Sequence, residues 1–279
     1  MATPEGKVPI IESAGQAVRF LREHWRSGLG VAAIGAVVQT AAFALFGLTA
    51  LWLVTVGIVG AVLHAAFLNI AFSGSVGAGA RLIGDGARVF AAMSMVGFFV
   101  AIILFMVLYV AMSVLTGPYQ QEMLAARQDE AALRAILDQA VAAQPHVLMW
   151  ALGVGAFLTL LATSRLYLAA PATVDQQRIK VFDSWRWTKG NMLRIAVTRL
   201  VLLIPALILV GVLQSIIGAS FGAPTSDPTA LAASARSVSV LAFYFIAGLA
   251  QLLILGMLEA GLGSYLYRGL RPAQAPPSA

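Results

Sequence analysis

The sequence of 279 residues contains no cysteine and only three histidines, His24, His64 and His146. The absence of cysteine excludes disulfides and thiolate metal sites, and the wide spacing of the histidines argues against a histidine-based metal centre. Charged residues are also scarce, at 11% of the chain, whereas soluble domains contain about 25%. The first residues, MATPEGKVPIIESAGQ, lack the apolar region of a secretory signal peptide, so we expect no cleaved leader.

Apolar residues take the place of the missing charges. They make up 60% of the chain, and the mean hydropathy is +0.87. A hydrocarbon core about 30 Å thick is crossed by about 20 helical residues. Apolar runs of that length predict six spans, at about residues 29–48, 51–73, 90–114, 147–170, 195–218 and 238–266. The first two spans form one uninterrupted block, which we expect to turn near residues 47–50.

These features predict an all-α, polytopic membrane protein with six transmembrane helices. We expect residues 1–271 to form a single membrane domain. Residues 272–279, PAQAPPSA, are expected to form a disordered tail.

The distribution of lysine and arginine predicts the orientation in the membrane. If the N-terminus is cytoplasmic, 14 of the 18 cations lie on the cytoplasmic side, three lie on the other side, and Arg165 lies within the fourth span. The positive-inside rule therefore places both termini in the cytoplasm. Insertion topology and anionic lipid headgroups account for the basic pI of about 10.1, so nucleic acid is not required as a partner.

Three segments on this side precede an outward-going span. In the first, an apolar helical stripe consists of Ile11, Ala14, Val18, Leu21 and Trp25. This pattern predicts a helix lying in the headgroup plane. The second segment is RLIGDGARVF (Arg81–Phe90). It overlaps the glycine-rich stretch GSVGAGARLIGDG (Gly74–Gly86), which we interpret as a flexible turn and not as a phosphate-binding loop. The recurrence of an interfacial segment followed by two spans suggests a threefold internal repeat.

The third segment, FDSWRWTKGN (Phe182–Asn191), combines tryptophan with cations. Aromatic and cationic residues both favour the membrane boundary. We therefore predict a set of interfacial anchors: Trp25, Trp185, Arg186, Trp187 and Lys189. Gly190 and Asn191 are expected to end the segment.

On the other face, residues 116–146 contain the longest polar segment, with a helix predicted to begin at Asp129. Residues 219–236 are interpreted as a loop. Pro205 lies inside the fifth span and is expected to remove a backbone hydrogen bond, with a possible kink.

Four polar residues within the spans are candidates for an intramembrane site: His64, Asn69, Arg165 and Glu259. Arg165 and Glu259 are expected at similar depth, where they would form an ion pair beside a polar pocket. The alternative is that Arg165 snorkels to phosphates while Glu259 faces the interface. His64 fits a proton relay or a neutral interhelical hydrogen bond, and Asn69 fits an interhelical contact.

The stretch SRLYLAAPATVDQQRIKVFDSWRWTKGNMLRIAVTRL (Ser164–Leu200) resembles a family of six-helix bacterial membrane proteins. These are the YciC-type proteins and the membrane domain attached to some glycerophosphodiester phosphodiesterases. The matching features are the arginine-rich exit of the fourth span, PATV at Pro171–Val174 and SWRWTKGN at Ser184–Asn191. The resemblance implies a bacterial inner membrane and a topology, but no activity. We expect no phosphodiesterase barrel in this chain, so phosphodiesterase activity is not carried over from the resemblance.

The sequence contains no recognisable catalytic constellation, so we expect a protein that is not an enzyme and needs no cofactor. It would organise or handle envelope lipids through anionic headgroups, or serve as the membrane subunit of a complex with a protein partner or further copies of itself. The alternative is a small-molecule or lipid transporter. This alternative is favoured by the polar residues within the spans and by Pro205 in the fifth span. An intramembrane enzyme acting on lipids is a third class.

Overall fold

The computed structural model describes residues 7–77, 79–223 and 228–271, and all regular secondary structure in these residues is helical. Six of the helical segments are long and apolar enough to cross a membrane. The expectation of an all-α chain with six spans is therefore confirmed by length and composition. The expected tail at residues 272–279 lies outside the described residues.

The helices follow one another with short connections. In chain order they are α1 (Ile10–Phe46), α2 (Ala50–Ser73), α3 (Gly79–Thr116), α4 (Gln120–Ala125), α5 (Glu130–Ala143), α6 (Pro145–Arg165), α7 (Ala169–Gln176), α8 (Val181–Trp187), α9 (Met192–Phe221), α10 (Pro228–Ala233), α11 (Val238–Gln251) and α12 (Met257–Leu270). A 3₁₀ turn, Gly117–Tyr119, joins α3 to α4, and a π-helical turn, Leu252–Gly256, joins α11 to α12.

The turn between the first two spans lies where the apolar block predicts it. Gly47 ends α1 with φ +58°, a left-handed value that favours glycine, and its N–H donates to the Phe43 carbonyl at 2.7 Å. Thr49 then begins α2, where its hydroxyl accepts from the Trp52 N–H at 3.5 Å. A three-residue link therefore reverses the chain.

The amphipathic segments differ from the sequence expectation. No break separates residues 10–28 from the first span, because α1 is continuous over 37 residues. The glycine-rich stretch expected to be a flexible turn is helical from Gly79 onwards and is continuous with the third span. The third segment alone forms a separate short helix, α8, which ends before Gly190 at φ +82° and Asn191.

The segment before α5 ends at a helix cap, the segment after α9 contains a short helix, and α9 itself is helical at Pro205. Asp129 caps α5, where its Oδ1 accepts from the Ala132 N–H at 3.0 Å, as predicted. The expected loop over residues 219–236 contains the end of α9 and the short helix α10. Helix α9 continues through Pro205.

The chain packs as two compact units. The first comprises the residues up to Met95 and those from Ser164 onwards. Its core is formed where α1, α2 and α12 meet, where α7 packs against α2 and α12, and where α9 packs against α1 and α11. The fully buried side chains there include Phe67, Leu68, Leu168, Ile195, Met257, Leu262 and Tyr267. Close packing of small and large residues supplies the van der Waals contact that holds helices together in lipid.

The second unit, Val96–Thr163, contains the remainder of α3, helices α4 and α5, and most of α6. A Cβ atom at Gly155 would lie 3.3 Å from Leu104 Cδ2, so α6 and α3 are in contact there. Leu115 and Ala140 are buried within it.

Candidate functional site

The buried carboxylate of Asp85, near the start of α3, is the centre of a polar cluster in the first unit. We call Asp85 with Asn69, Arg81, Arg88 and Gln177 the Asp85 cluster. Asp85 Oδ1 accepts from Gln177 Nε2 at 2.8 Å and from Arg88 Nη1 at 2.9 Å. Asp85 Oδ2 accepts from Asn69 Nδ2 at 3.2 Å and lies 4.0 Å from Arg81 Nε. A fully buried carboxylate needs such donors, because an unpaired buried charge is strongly destabilising.

The close approach of α2 and α3 places Asn69 beside Asp85. Gly86 makes this approach possible, since a Cβ atom at this position would lie 2.6 Å from Val62 Cγ2 and 3.0 Å from Val62 Cα. The sequence Gly84–Asp85–Gly86 therefore combines a carboxylate with the small residue that brings it to its partner helix.

Three consecutive polar residues at the end of α7 connect it to α3 and α12. Gln177 reaches the Asp85 cluster from a left-handed backbone conformation, φ +55°, which is uncommon for a residue other than glycine. Asp175 Oδ2 accepts from the Tyr267 hydroxyl at 2.8 Å and from Arg271 Nη1 at 2.9 Å. The Tyr267 hydroxyl in turn accepts from Gln176 Nε2 at 3.0 Å. The segment DQQ thus fixes α7 on two sides.

Helix α8 completes the hydrogen bonds of the end of α6. The carbonyl oxygen of Arg165 accepts from Ser184 Oγ and from Thr188 Oγ1, both at 3.0 Å. Ser184 Oγ also accepts from the Leu168 N–H at 3.1 Å. Carbonyl groups at a helix C-terminus lack partners within the helix. The serine and threonine of FDSWRWTKGN therefore dock α8 onto this end.

The structure places the four predicted site residues in three different places. Asn69 belongs to the Asp85 cluster. Arg165 does not form the expected ion pair with Glu259: its Nη1 donates to the Trp185 carbonyl at 3.2 Å, and its guanidinium lies 5.0 Å from the Trp185 ring centroid. Since α8 folds back on the end of α6, these closer partners occupy the arginine.

Glu259 and His64 lie within electrostatic range of each other, and Glu259 is also within range of Tyr167. The Tyr167 hydroxyl donates to the main-chain carbonyl of Glu259 at 3.3 Å. Neither the Glu259 carboxylate nor the His64 ring forms a hydrogen bond or an ion pair within the part of the chain that the structure describes. Glu259 follows the π-helical turn by three residues.

The predicted interfacial anchors differ in exposure. Trp25 and Trp185 are 46% and 48% exposed, and Arg186 and Lys189 are exposed as well. Trp187 is partly buried, with its ring centroid 5.7 Å from that of Tyr267. The anchoring role itself stays a prediction.

Asp183 on α8 accepts from two cations. Lys180 Nζ lies 2.8 Å from Asp183 Oδ2, and Arg186 Nη2 pairs with Oδ1. The hydrogen bonds from Lys180 and Arg186 hold the pKa of the Asp183 carboxyl below its ordinary value. The pairs also fix the start of α8 relative to the loop before it.

A surface cleft with a volume of about 380 Å³ lies beside this ion-pair group. It is lined by Met95, Arg178, Ile179, Lys180, Val181, Phe182 and Asp183.

Sequence reasoning did not identify Asp85, Asp175, Gln176 or Gln177 as site residues. For Asp85 a signal exists: in RLIGDGARVF the acid has arginine four residues before it and three after it, a spacing that places the charges on one helix face. For the DQQ segment the partners lie about 90 residues away in the chain, and local patterns do not reveal them.

Within residues 7–77, 79–223 and 228–271, no group of three or more histidine, aspartate or glutamate side chains is arranged to hold a metal ion. Comparisons with protein-family models, with curated proteins and with solved structures found no match.

Proposed function

We propose that the protein is a non-enzymatic integral membrane protein that binds and organises anionic lipids at its cation-rich end. We call this end, which comprises the start of α1, the start of α3, the loop before α8, α8 itself and the ends of α6 and α12, the basic end. We further propose that it faces the cytoplasm of a bacterial inner membrane, as the positive-inside rule and the family resemblance suggest.

The observation that carries this proposal is that the polar residues at the basic end fall into two groups, one hydrogen-bonded inside the protein and one exposed. The buried Asp85 is surrounded by donors of the chain itself, while Arg19, Arg22 and Lys189 are exposed and form no side-chain hydrogen bond or ion pair within the described residues. Exposed cations beside exposed tryptophans suit phosphate groups and the interface below them. Each cation near an anionic surface contributes about 1 kcal/mol of attraction.

The test measures how the replacement of two different sets of arginines changes lipid binding by the purified protein. In vesicles of phosphatidylcholine with added phosphatidylglycerol, spin-labelled lipids measure the preference for the anionic headgroup. We expect a preference of several-fold, weakened by salt because exposed charges are screened. Replacing Arg19 and Arg22 by glutamine should reduce this preference.

The matched control replaces Arg127 and Arg134, which are exposed in the second unit, by glutamine. This variant should keep the preference. Equal loss in both variants, or no preference in the unaltered chain, would contradict the proposal. Partner chains that co-purify with the protein from native membranes would favour the role of a membrane subunit.

A second candidate function, a transporter, is favoured by the surroundings of Glu259. Ionisable side chains within membrane segments commonly mark ion or proton pathways, and π-helical turns frequently occur at functional sites. Here Glu259 follows such a turn, lies near His64, and its carboxylate has no hydrogen-bond partner in the described chain.

This candidate is tested by proton flux into vesicles that contain a pH-sensitive dye, driven by a potassium diffusion potential. If the protein transports protons, Glu259→Gln should abolish the flux, while Glu122→Gln, an exposed residue of α4, should leave it unchanged. Flux no greater than in protein-free vesicles would exclude proton transport.

A further inference from the structure

The cleft beside α8 is lined by the cation Arg178. The Arg178 side chain is exposed and forms no hydrogen bond or ion pair within the described residues. The other cation of the lining, Lys180, is paired with Asp183 at 2.8 Å. The three charged side chains of the lining sum to a net charge of +1, while Arg186, which is paired with the same Asp183 carboxylate, lies outside the lining.

The backbone that carries Arg178 is fixed on both sides. On one side, Gln177 is held by its hydrogen bonds with Asp85 and Arg88, at 2.8 Å each, and by its bond to the Val174 carbonyl at 2.9 Å. On the other side, the Lys180 N–H donates to Thr173 Oγ1 at 3.2 Å. A cation on a fixed backbone loses less conformational entropy on binding than one on a mobile loop.

Apolar side chains lie next to this cation. Met95, Ile179 and Phe182 line the same cleft and are 37%, 47% and 60% exposed. A small free anion buries none of this apolar surface. An amphiphile buries it, because its charged group can bind Arg178 while its glycerol and first methylene groups cover the apolar residues.

We propose that this cleft binds an anionic glycerophospholipid, with Arg178 as the ligand of its phosphodiester. This inference rests on the proposed function and assigns it a site. The single charge of a phosphodiester matches the net charge of the cleft. The planar guanidinium offers two parallel N–H donors to two phosphate oxygens, and Lys180, which has three donors, adds a further contact without leaving Asp183. The cleft is then the tightest lipid site of the basic end, and the exposed cations of α1 add a weaker attraction.

The experiment is a titration of the full chain in detergent, in which native mass spectrometry counts the bound lipids. The probes are phosphatidylglycerol, phosphatidylcholine and glycerol phosphate. We expect the first phosphatidylglycerol to bind more tightly than the others. R178Q should weaken this first step about tenfold or more, the effect of losing a hydrogen-bonded charge, and R178K should weaken it less because the charge remains.

The control is R127Q, which removes one exposed cation of the second unit, outside the basic end, and should change the first step less than about twofold. Both Arg178 and Arg127 are exposed, so equal melting temperatures of R178Q and R127Q verify the fold. If R178Q binds the first phosphatidylglycerol as tightly as the unaltered chain while phosphatidylglycerol is still preferred to phosphatidylcholine, the cleft is not the site and the proposed function stands. If glycerol phosphate binds as tightly as phosphatidylglycerol, the ligand is a free phosphate ester and the inference is wrong. If the unaltered chain does not prefer phosphatidylglycerol to phosphatidylcholine, the proposed function fails as well.

Discussion

At the scale of single residues, hydrogen bonding separates the membrane-associated polar side chains into two kinds. Both carboxylate oxygens of Asp85 accept hydrogen bonds from three helices or loops, so its charge is compensated inside the protein. Glu259 has no such compensation from the described chain, although His64 lies near it. A carboxylate of the first kind, such as Asp85, stabilises the arrangement of the helices. A carboxylate of the second kind, such as Glu259, is available to bind a ligand or a proton.

Replacing Asp85 should therefore destabilise the protein strongly. Asp85→Ala leaves Arg88, Gln177 and Asn69 without their common acceptor, and the loss of hydrogen bonds to a charged group costs about 1.5–3 kcal/mol each. The cost stays below that of a fully buried ion pair because the Arg88 side chain is 37% exposed. Thermal unfolding in detergent should show a large decrease in melting temperature. Asp138→Ala, at an exposed position of α5, serves as the control and should change it little. Similar effects of the two substitutions would show that the Asp85 cluster does not stabilise the fold.

Asp183 should make stability depend on pH in a defined direction. Its folded-state pKa is lowered by Lys180 and Arg186, so its contribution is fully present above the unfolded-state pKa, about 3.9, and is lost as the pH falls through the lower folded-state value. The difference in melting temperature between the unaltered chain and Asp183→Asn should be constant near neutral pH and should decrease below about pH 4. Because Arg186 is largely exposed and Lys180 is partly exposed, both pairs are screened by solvent, and we expect an effect below about 1 kcal/mol. A difference that grows on acidification would contradict this assignment.

At the scale of elements, the length of the helices is the main departure from a simple bundle of spans. Helices α1 and α3 have 37 and 38 residues, about 55 Å at 1.5 Å per residue, which exceeds the hydrocarbon thickness. Each carries its basic segment as a continuation of the span. The cations of these segments are thereby held on rigid helices and not on loops.

The contact between α2 and α3 depends on the absence of a side chain at Gly86. Gly86→Ala introduces a Cβ atom 2.6 Å from Val62 Cγ2, and such overpacking costs about 1–3 kcal/mol. We expect a lower melting temperature. The matched control is Gly97→Ala in the same helix, where a Cβ atom meets nothing within 4 Å and the better helix propensity of alanine adds up to about 1 kcal/mol. Opposite signs for the two substitutions support the close approach, and a stabilising Gly86→Ala would contradict it.

At the scale of the whole molecule, the sequence predicts the six apolar helices and the turn at Gly47 because both depend on local composition. The continuity of α1 is harder to predict: the charge pattern before residue 28 resembles an interfacial helix, yet no proline occurs between Ile10 and Phe46 to end it. Side-chain partners are harder still. Asp85 and Gln177 are 92 residues apart, and the expected partner of Arg165 is wrong because α8 folds back onto it.

We expect the orientation of the molecule to follow from the distribution of its cations, and labelling of single cysteines tests this prediction. Since the chain contains no cysteine, each introduced thiol is unique and the unaltered protein gives no background. We expect Gln128→Cys, between α4 and α5, to react with a membrane-impermeant maleimide in right-side-out membranes, because only three cations lie on its side. Lys189→Cys, among the cations after α8, should react only after the membrane is opened, since loops rich in lysine and arginine remain on the cytoplasmic side during insertion. Both positions are exposed, so labelling of both in opened membranes controls for access. The reverse pattern would invert the topology and contradict the proposed cytoplasmic position of the lipid site.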